Sequence, residues 1–206
     1  MKIGLYFGTF NPIHIGHLII ASFAVNNTDL QQVWLIVSPQ NPLKQSEALL
    51  NDYDRLHYVR LAVEDNSQLR ASDVEFNLPK PSYTIDTLTY LDEKYQQHQF
   101  VLIIGSDSFQ NLAKWKNYEL LSKYNIIVYE RPEYRIKENL TKNITVLNAP
   151  LLNLSATLIR TLLKQGKPVR YLVPENIREE LESNLYFKAN TLSSKKSIRE
   201  EGKLKQ

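Results

Sequence analysis

Cysteine is absent from this 206-residue chain, which excludes disulfide frameworks, thiolate metal sites and cysteine nucleophiles. Glycine is scarce: only Gly4, Gly8, Gly16, Gly105, Gly166 and Gly202 occur. No two of them make a Walker A loop, and there is no G-x-G-x-x-G, so the common phosphate-binding and dinucleotide-binding loops are excluded. Gly166-Lys167 is followed by Pro168 rather than Ser or Thr. Long apolar runs are also missing. The longest, residues 33–37 and 100–104, have the length of buried strands and fall far short of a membrane span. The N-terminal residues lack the apolar region and cleavage site of a signal peptide. The expected location is the cytoplasm, with no membrane partner. A charge surplus is lacking too. The formal net charge is +3, and the tail accounts for all of it, since Lys195, Lys196, Arg199, Lys203 and Lys205 face only Glu200 and Glu201 there. A neutral body argues against DNA or another nucleic acid as its main partner.

At 43% hydrophobic and 23% charged, the composition fits one globular domain with a sizeable core. We place that domain at residues 1–188. Residues 189–206 read as a basic, disordered tail, having too few large apolar residues to bury.

Within the domain, short apolar runs alternate with helical patterns. Strands are expected at residues 3–7, 33–37, 74–76, 100–104, 126–129 and 144–147. Helices are expected at 16–25, Asp52–Val63, 85–95, 155–163 and from Pro174 to 182. This alternation predicts an α/β fold, doubly wound, with a mostly parallel sheet covered on both faces and a short helical C-terminal part. Such sheets bind ligands beyond the carboxyl ends of their strands, so the loops after strands are where chemistry is sought.

The first such loop reads Gly8-Thr9-Phe10-Asn11-Pro12-Ile13-His14-Ile15-Gly16-His17. A helix N-terminus offers unpaired N–H groups and a positive dipole end, which suit phosphate. His14 and His17 share one face of the first turn and can donate to phosphoryl oxygens. A second anion site is expected where Ser155 caps a late helix, with Thr157 in its first turn and Arg160 one turn on. Residues 81–84, Pro-Ser-Tyr-Thr, make a small hydroxyl-rich turn whose N–H groups can hold a carboxylate. Asp107, after the strand at 100–104, reads as a helix N-cap.

The run G-T-F-N-P-I-H-I-G-H resembles the nucleotidyltransferase superfamily, and most closely its nicotinate-nucleotide adenylyltransferases. Three more segments resemble that family, in its order: S-Y-T-I-D-T-L from Ser82, G-S-D from Gly105, and L-S-A-T-L-I-R from Leu154. The resemblance implies a Rossmann-like nucleotidyltransferase fold over residues 1–188 and transfer of AMP from ATP to nicotinate mononucleotide. It implies a catalytic role for His17 at the α-phosphate, with His14 and Arg160 on the ATP phosphates. Gly8, Thr9, Phe10, Gly16, Ser155 and Thr157 would border the phosphates, and Gly105 and Asp107 the ribose. For the acceptor it implies Ser82, Tyr83, Thr84, Lys44 and Arg131, with Trp115 stacked on the pyridine ring and Arg55 a further candidate for the acceptor phosphate. Two positions depart from the pattern: Ala156 removes one hydroxyl, and Leu43 stands where the family has His.

Mg²⁺ is expected to arrive on the ATP phosphates, with no metal site of the chain's own. A homo-oligomer is compatible with the sequence. Phosphopantetheine adenylyltransferase is the nearest rival, against which residues 81–84 count. A synthetase-like enzyme would need a K-M-S-K-S loop, and the only Met is Met1. A non-catalytic nucleotide- or RNA-binding module is the rival from another class.

Overall fold

The computed structural model describes residues 1–40, 49–131, 134, 136, 143–150 and 152–188. Lys44 and the tail at 189–206 lie outside the described residues.

Six strands form one sheet in the order β3-β2-β1-β4-β5-β6, with every pairing parallel. They are β1 (Lys2–Gly8), β2 (Gln32–Val37), β3 (Leu69–Ser72), β4 (Gln99–Gly105), β5 (Asn125–Tyr129) and β6 (Ile144–Leu147). The inner strands are near-continuous apolar runs because both of their faces are covered. On one face α1 (Ile15–Asn27), α2 (Asp52–Val63), α5 (Ala156–Lys164), α6 (Glu175–Ser183) and α7 (Leu185–Lys188) pack down. Ala21, Ala24, Val59, Ile159, Ile177 and Phe187 there join Tyr6, Leu35 and Ile103. On the other face α3 (Thr84–Lys94) lays Leu88 and Leu91 against Ile3, Leu5 and Ile36. Beside it Phe109 of α4 (Ser106–Gln110) and Leu112 cover Leu102, Ile104 and Val128. Gly4 is where the central strand meets its cover. A Cβ there would lie 2.6 Å from Ile103 Cδ1 and 2.8 Å from Leu30 Cδ1, so a larger residue would make those side-chain ends shift.

The doubly wound reading is borne out, and the sheet is parallel throughout. One strand was misplaced. Residues 74–76 form a 3-10 turn, Val74–Asn77, and the third strand lies just before it at Leu69–Ser72. The apolar spacing of Val74 and Phe76 imitates a strand, whereas the true edge strand carries exposed Arg70, whose guanidinium stacks on Trp34 at 4.7 Å. Helix α7 is too short to carry a period, whereas α4 begins beside Asp107, where a helix start is expected.

The order of strands turns back between β1 and β4. Loops leaving their carboxyl ends diverge, and a crevice opens between them.

Candidate active site

That crevice is a cleft of about 760 Å³. It is lined from the segments after β1, β2, β4, β5 and β6, from the starts of α1, α3 and α5, and by Glu75.

The β1 loop is held rigidly. Gly8 closes the strand, and a Cβ there would meet the Phe10 ring at 2.9 Å. Phe10 itself takes a positive φ of 44° and is buried. Its ring lies edge-on to His17 with centroids 5.0 Å apart. Phe10 is thus a wedge beneath the loop, and Thr9 beside it is half-buried. His14 occupies the N-cap of α1, and His17 sits one turn in. Their rings stack at 3.6 Å, with buried Gly16 between them in sequence. The backbone N–H of His14 donates to His17 Nδ1 at 3.2 Å. Accepting that bond occupies the Nδ1 lone pair, so the neutral ring carries its proton on Nε2 as a donor. His14 is 6% exposed, and its Nδ1 has no hydrogen-bond partner among the described residues. Burial, with the Arg131 charge adding to it, lowers the His14 pKa from 6.5 to about 4. His14 is therefore neutral at pH 7.

On the opposite wall Ser155 caps α5 by accepting from the Leu158 N–H at 3.2 Å. Arg160 reaches over from the same helix. It donates to the Asn11 carbonyl at 2.9 Å and to Thr157 Oγ1 at 3.2 Å. The two anion sites expected from separate ends of the chain thus face one cleft, joined by a direct bond.

At the end of β4, Gly105 caps α4, and Asp107 lies in its first turn rather than at the N-cap. Asp107 pairs with Arg131 Nε at 3.1 Å. Arg131 also donates to the Tyr129 hydroxyl at 3.1 Å, and the Tyr6 hydroxyl lies 3.4 Å from that of Tyr129. Arg131 lines the cleft next to Asp107.

On the far side Tyr83 is the N-cap of α3. The first N–H groups of this helix have no preceding carbonyl to bond, and Tyr83, Thr84 and Trp115 all line the cleft. Trp115 is partly buried against the side chains under β4 and β5, and its indole N–H has no partner among the described residues. Lys116 lies over the Tyr83 ring at 4.6 Å and pairs with Asp86 at 2.8 Å. Ser82 lines the cleft as well. It is buried, and its hydroxyl donates to Glu75 Oε2 at 2.8 Å.

Arg55 is corrected. It is fully buried and donates to the carbonyls of Leu50 (3.0 Å), Ser38 (2.8 Å), Pro39 (3.2 Å) and Thr9. It also pairs with Asp52. All five guanidinium donors are used inside the protein, and none is left for an acceptor phosphate. Glu75 and Arg55 are the residues that sequence reasoning missed or misread. Their only signal is a charge placed among core positions.

The cytidylyltransferase-like family matches residues 5–162. A probable nicotinate-nucleotide adenylyltransferase of Cytophaga hutchinsonii is 51% identical over 191 residues, covering 91% of this chain and 98% of that protein. The chain belongs to the nicotinate-nucleotide adenylyltransferase family. A second relative so described, from Flavobacterium psychrophilum, is 47% identical over 192 residues, covering 91% of this chain and 100% of that protein. Among solved structures, the nicotinic acid mononucleotide adenylyltransferase of Plasmodium falciparum, complexed with NaAD, aligns with a TM-score of 0.74. The alignment covers 89% of this chain and 98% of that one at 19% identity, a likeness of fold. Among the described residues no helix is long and apolar enough to cross a membrane.

Proposed function

We propose that this chain is an enzyme of NAD biosynthesis, transferring the adenylyl group of ATP to nicotinate mononucleotide with release of pyrophosphate and formation of deamido-NAD. One observation carries the reading. His14 and His17, Arg160 and the α3 N-terminus, drawn from three distant parts of the chain, line a single cleft at the sheet's switch point.

An oxygen of the mononucleotide phosphate attacks the α-phosphorus of ATP. A new P–O bond forms, and the bond to pyrophosphate breaks. The attacking group is already ionised near neutral pH, its second pKa being about 6. A protein base is not needed, so catalysis rests on positioning and on charge stabilisation. His17, with its Nε2 proton fixed by the bond at Nδ1, donates to the α-phosphate as charge develops. Arg160 and the start of α5 hold the outer phosphates, with Ser155 and Thr157 beside them. Gly8, Thr9 and Gly16 let the phosphates approach the backbone. Asp107 takes the ribose and Arg131 supports it. Among the described residues there is no cluster of acidic or histidine side chains able to hold a metal, and Mg²⁺ enters as the Mg²⁺–ATP complex.

On the acceptor side, N–H donors at Thr84 and the start of α3 suit an acceptor-only carboxylate, and Trp115 offers a stacking face. A carboxamide would turn its own NH₂ toward one of those donors. An unsatisfied buried donor costs about 1–3 kcal/mol, and losing a charge-assisted bond adds to this. Nicotinate mononucleotide should therefore exceed nicotinamide mononucleotide in kcat/KM by roughly tenfold or more. Pyrophosphate release measured with each nucleotide and with phosphopantetheine tests this. Equal efficiency on the two nucleotides would remove the carboxylate site, and turnover on phosphopantetheine alone would overturn the substrate assignment.

A further inference from the structure

Glu75 is 2% exposed, yet it belongs to no ion pair among the described residues, and no step of the reaction uses it. It sits in the 3-10 turn after β3. Its two oxygens are shared out between separate pieces of the acceptor side. Oε2 accepts from the Ser82 hydroxyl at 2.8 Å, and Oε1 accepts from the Thr87 hydroxyl at 2.8 Å. The Ser38 hydroxyl, just past the end of β2, bonds to the same carboxyl. Thr87 lies in the first turn of α3, four residues after the Tyr83 N-cap, and is itself fully buried. One carboxyl thus fastens the residue before the N-cap, the first turn of the helix and the carboxyl end of β2 to a single point. Burial raises its pKa, against the pull of the three hydroxyls.

We infer that Glu75, which lines the cleft together with Ser82 and Ser38, is a positioning residue for the acceptor: through Ser82, Thr87 and Ser38 it sets where the α3 N-terminus stands in the cleft, and so governs acceptor binding. The inference rests on the reading of residues 81–84 and Trp115 as the acceptor side. Ser82 lines the cleft and then acts through Glu75, to which its hydroxyl donates. Small displacements matter here, because an error of about 1 Å in a substrate-positioning element can cost on the order of a hundredfold.

The test is steady-state kinetics of Glu75→Ala and Glu75→Gln in the full chain, with Trp115→Ala alongside. Glu75→Ala should raise the KM for nicotinate mononucleotide about tenfold or more and leave the KM for ATP within about twofold. Glu75→Gln keeps the shape and one acceptor oxygen, and should recover most of the loss. If Glu75→Ala does not fold, as judged by circular dichroism, Ser82→Ala takes its place with the same expected split, since it cuts one arm and leaves the carboxyl. A folded Glu75→Ala with both KM values unchanged, or with both raised equally, would overturn the inference. If Trp115→Ala raises the acceptor KM and Glu75→Ala does not, the inference falls alone. An acceptor KM unmoved in both variants would remove the acceptor side as read, and the inference with it.

Discussion

Acidifying the protein from pH 7 to pH 4 should withdraw stability through His14. Its folded pKa is about 4 against an ordinary 6.5, so above pH 6.5 it is neutral in both states and contributes nothing to the pH dependence. As pH falls below 6.5 the unfolded chain takes up the proton first, and the folded state loses ground until pH 4 is passed. The loss from this one ring is about 2 kcal/mol at pH 5 and about 3 kcal/mol at pH 4, a large part of a typical domain's 5–15 kcal/mol. Glu75 works in the opposite direction. Its folded pKa is raised by burial, so the unfolded state ionises first as pH rises through 4.5, and Glu75 costs stability above that point. The wild-type curve alone therefore mixes two opposed terms. His14→Asn removes one and keeps the other. Urea unfolding followed by tryptophan fluorescence (Trp34 and Trp115 are the two reporters) at half-unit steps from pH 7 to 4 isolates His14 as the difference between the curves. His14→Asn should lose about 2–3 kcal/mol less than the wild type over that range. Parallel curves would refute the picture of a buried neutral ring stacked on His17.

The two polar walls of the cleft give separable expectations. His17→Ala should lower kcat by about 100–1,000-fold, while the dissociation constant for ATP, measured by calorimetry, moves only a few-fold; a kcat within a few-fold of wild type would remove His17 from the α-phosphate. Arg160→Ala should raise the KM for ATP by roughly tenfold or more, as befits a charged hydrogen-bond donor worth about 1.5–3 kcal/mol, with the acceptor KM little changed. Unchanged ATP kinetics would leave Arg160 as a brace for the Asn11 carbonyl alone.

Most strands legible in the sequence are those buried on both faces, where continuous apolar runs such as that of β1 are the signal, while the edge strand β6 was legible from its own short run of Ile144, Thr145, Val146 and Leu147. The edge strand β3 escaped because only part of its surface is covered, so its exposed Arg70 and half-buried Ala71 make no run. Pairs within one helix turn were legible too. His14 with His17, and Thr157 with Arg160, need only the helical repeat to be brought together. Contacts between distant segments were not. Asp107 and Arg131 meet because β4 and β5 are neighbours in the sheet. Buried Arg55 and Glu75 were the hardest to read, because charged side chains are almost never fully buried unless paired. The partners of Arg55 are mostly carbonyls, and those of Glu75 are hydroxyls, neither of which has a sequence signature.

Arg55 has a consequence for how the molecule opens. Its donors end on Thr9 after β1, on Ser38 and Pro39 after β2, and on Leu50 before α2. Local unfolding of any one of these segments would strand a buried guanidinium with unmatched donors, which is far costlier than exposing a loop. The cheap excursions that usually belong to functional loops are thereby closed to the loop after β1. It can leave its place only when two strand ends and the start of a helix leave together, so its mobility is tied to the breathing of half the sheet rather than to its own length.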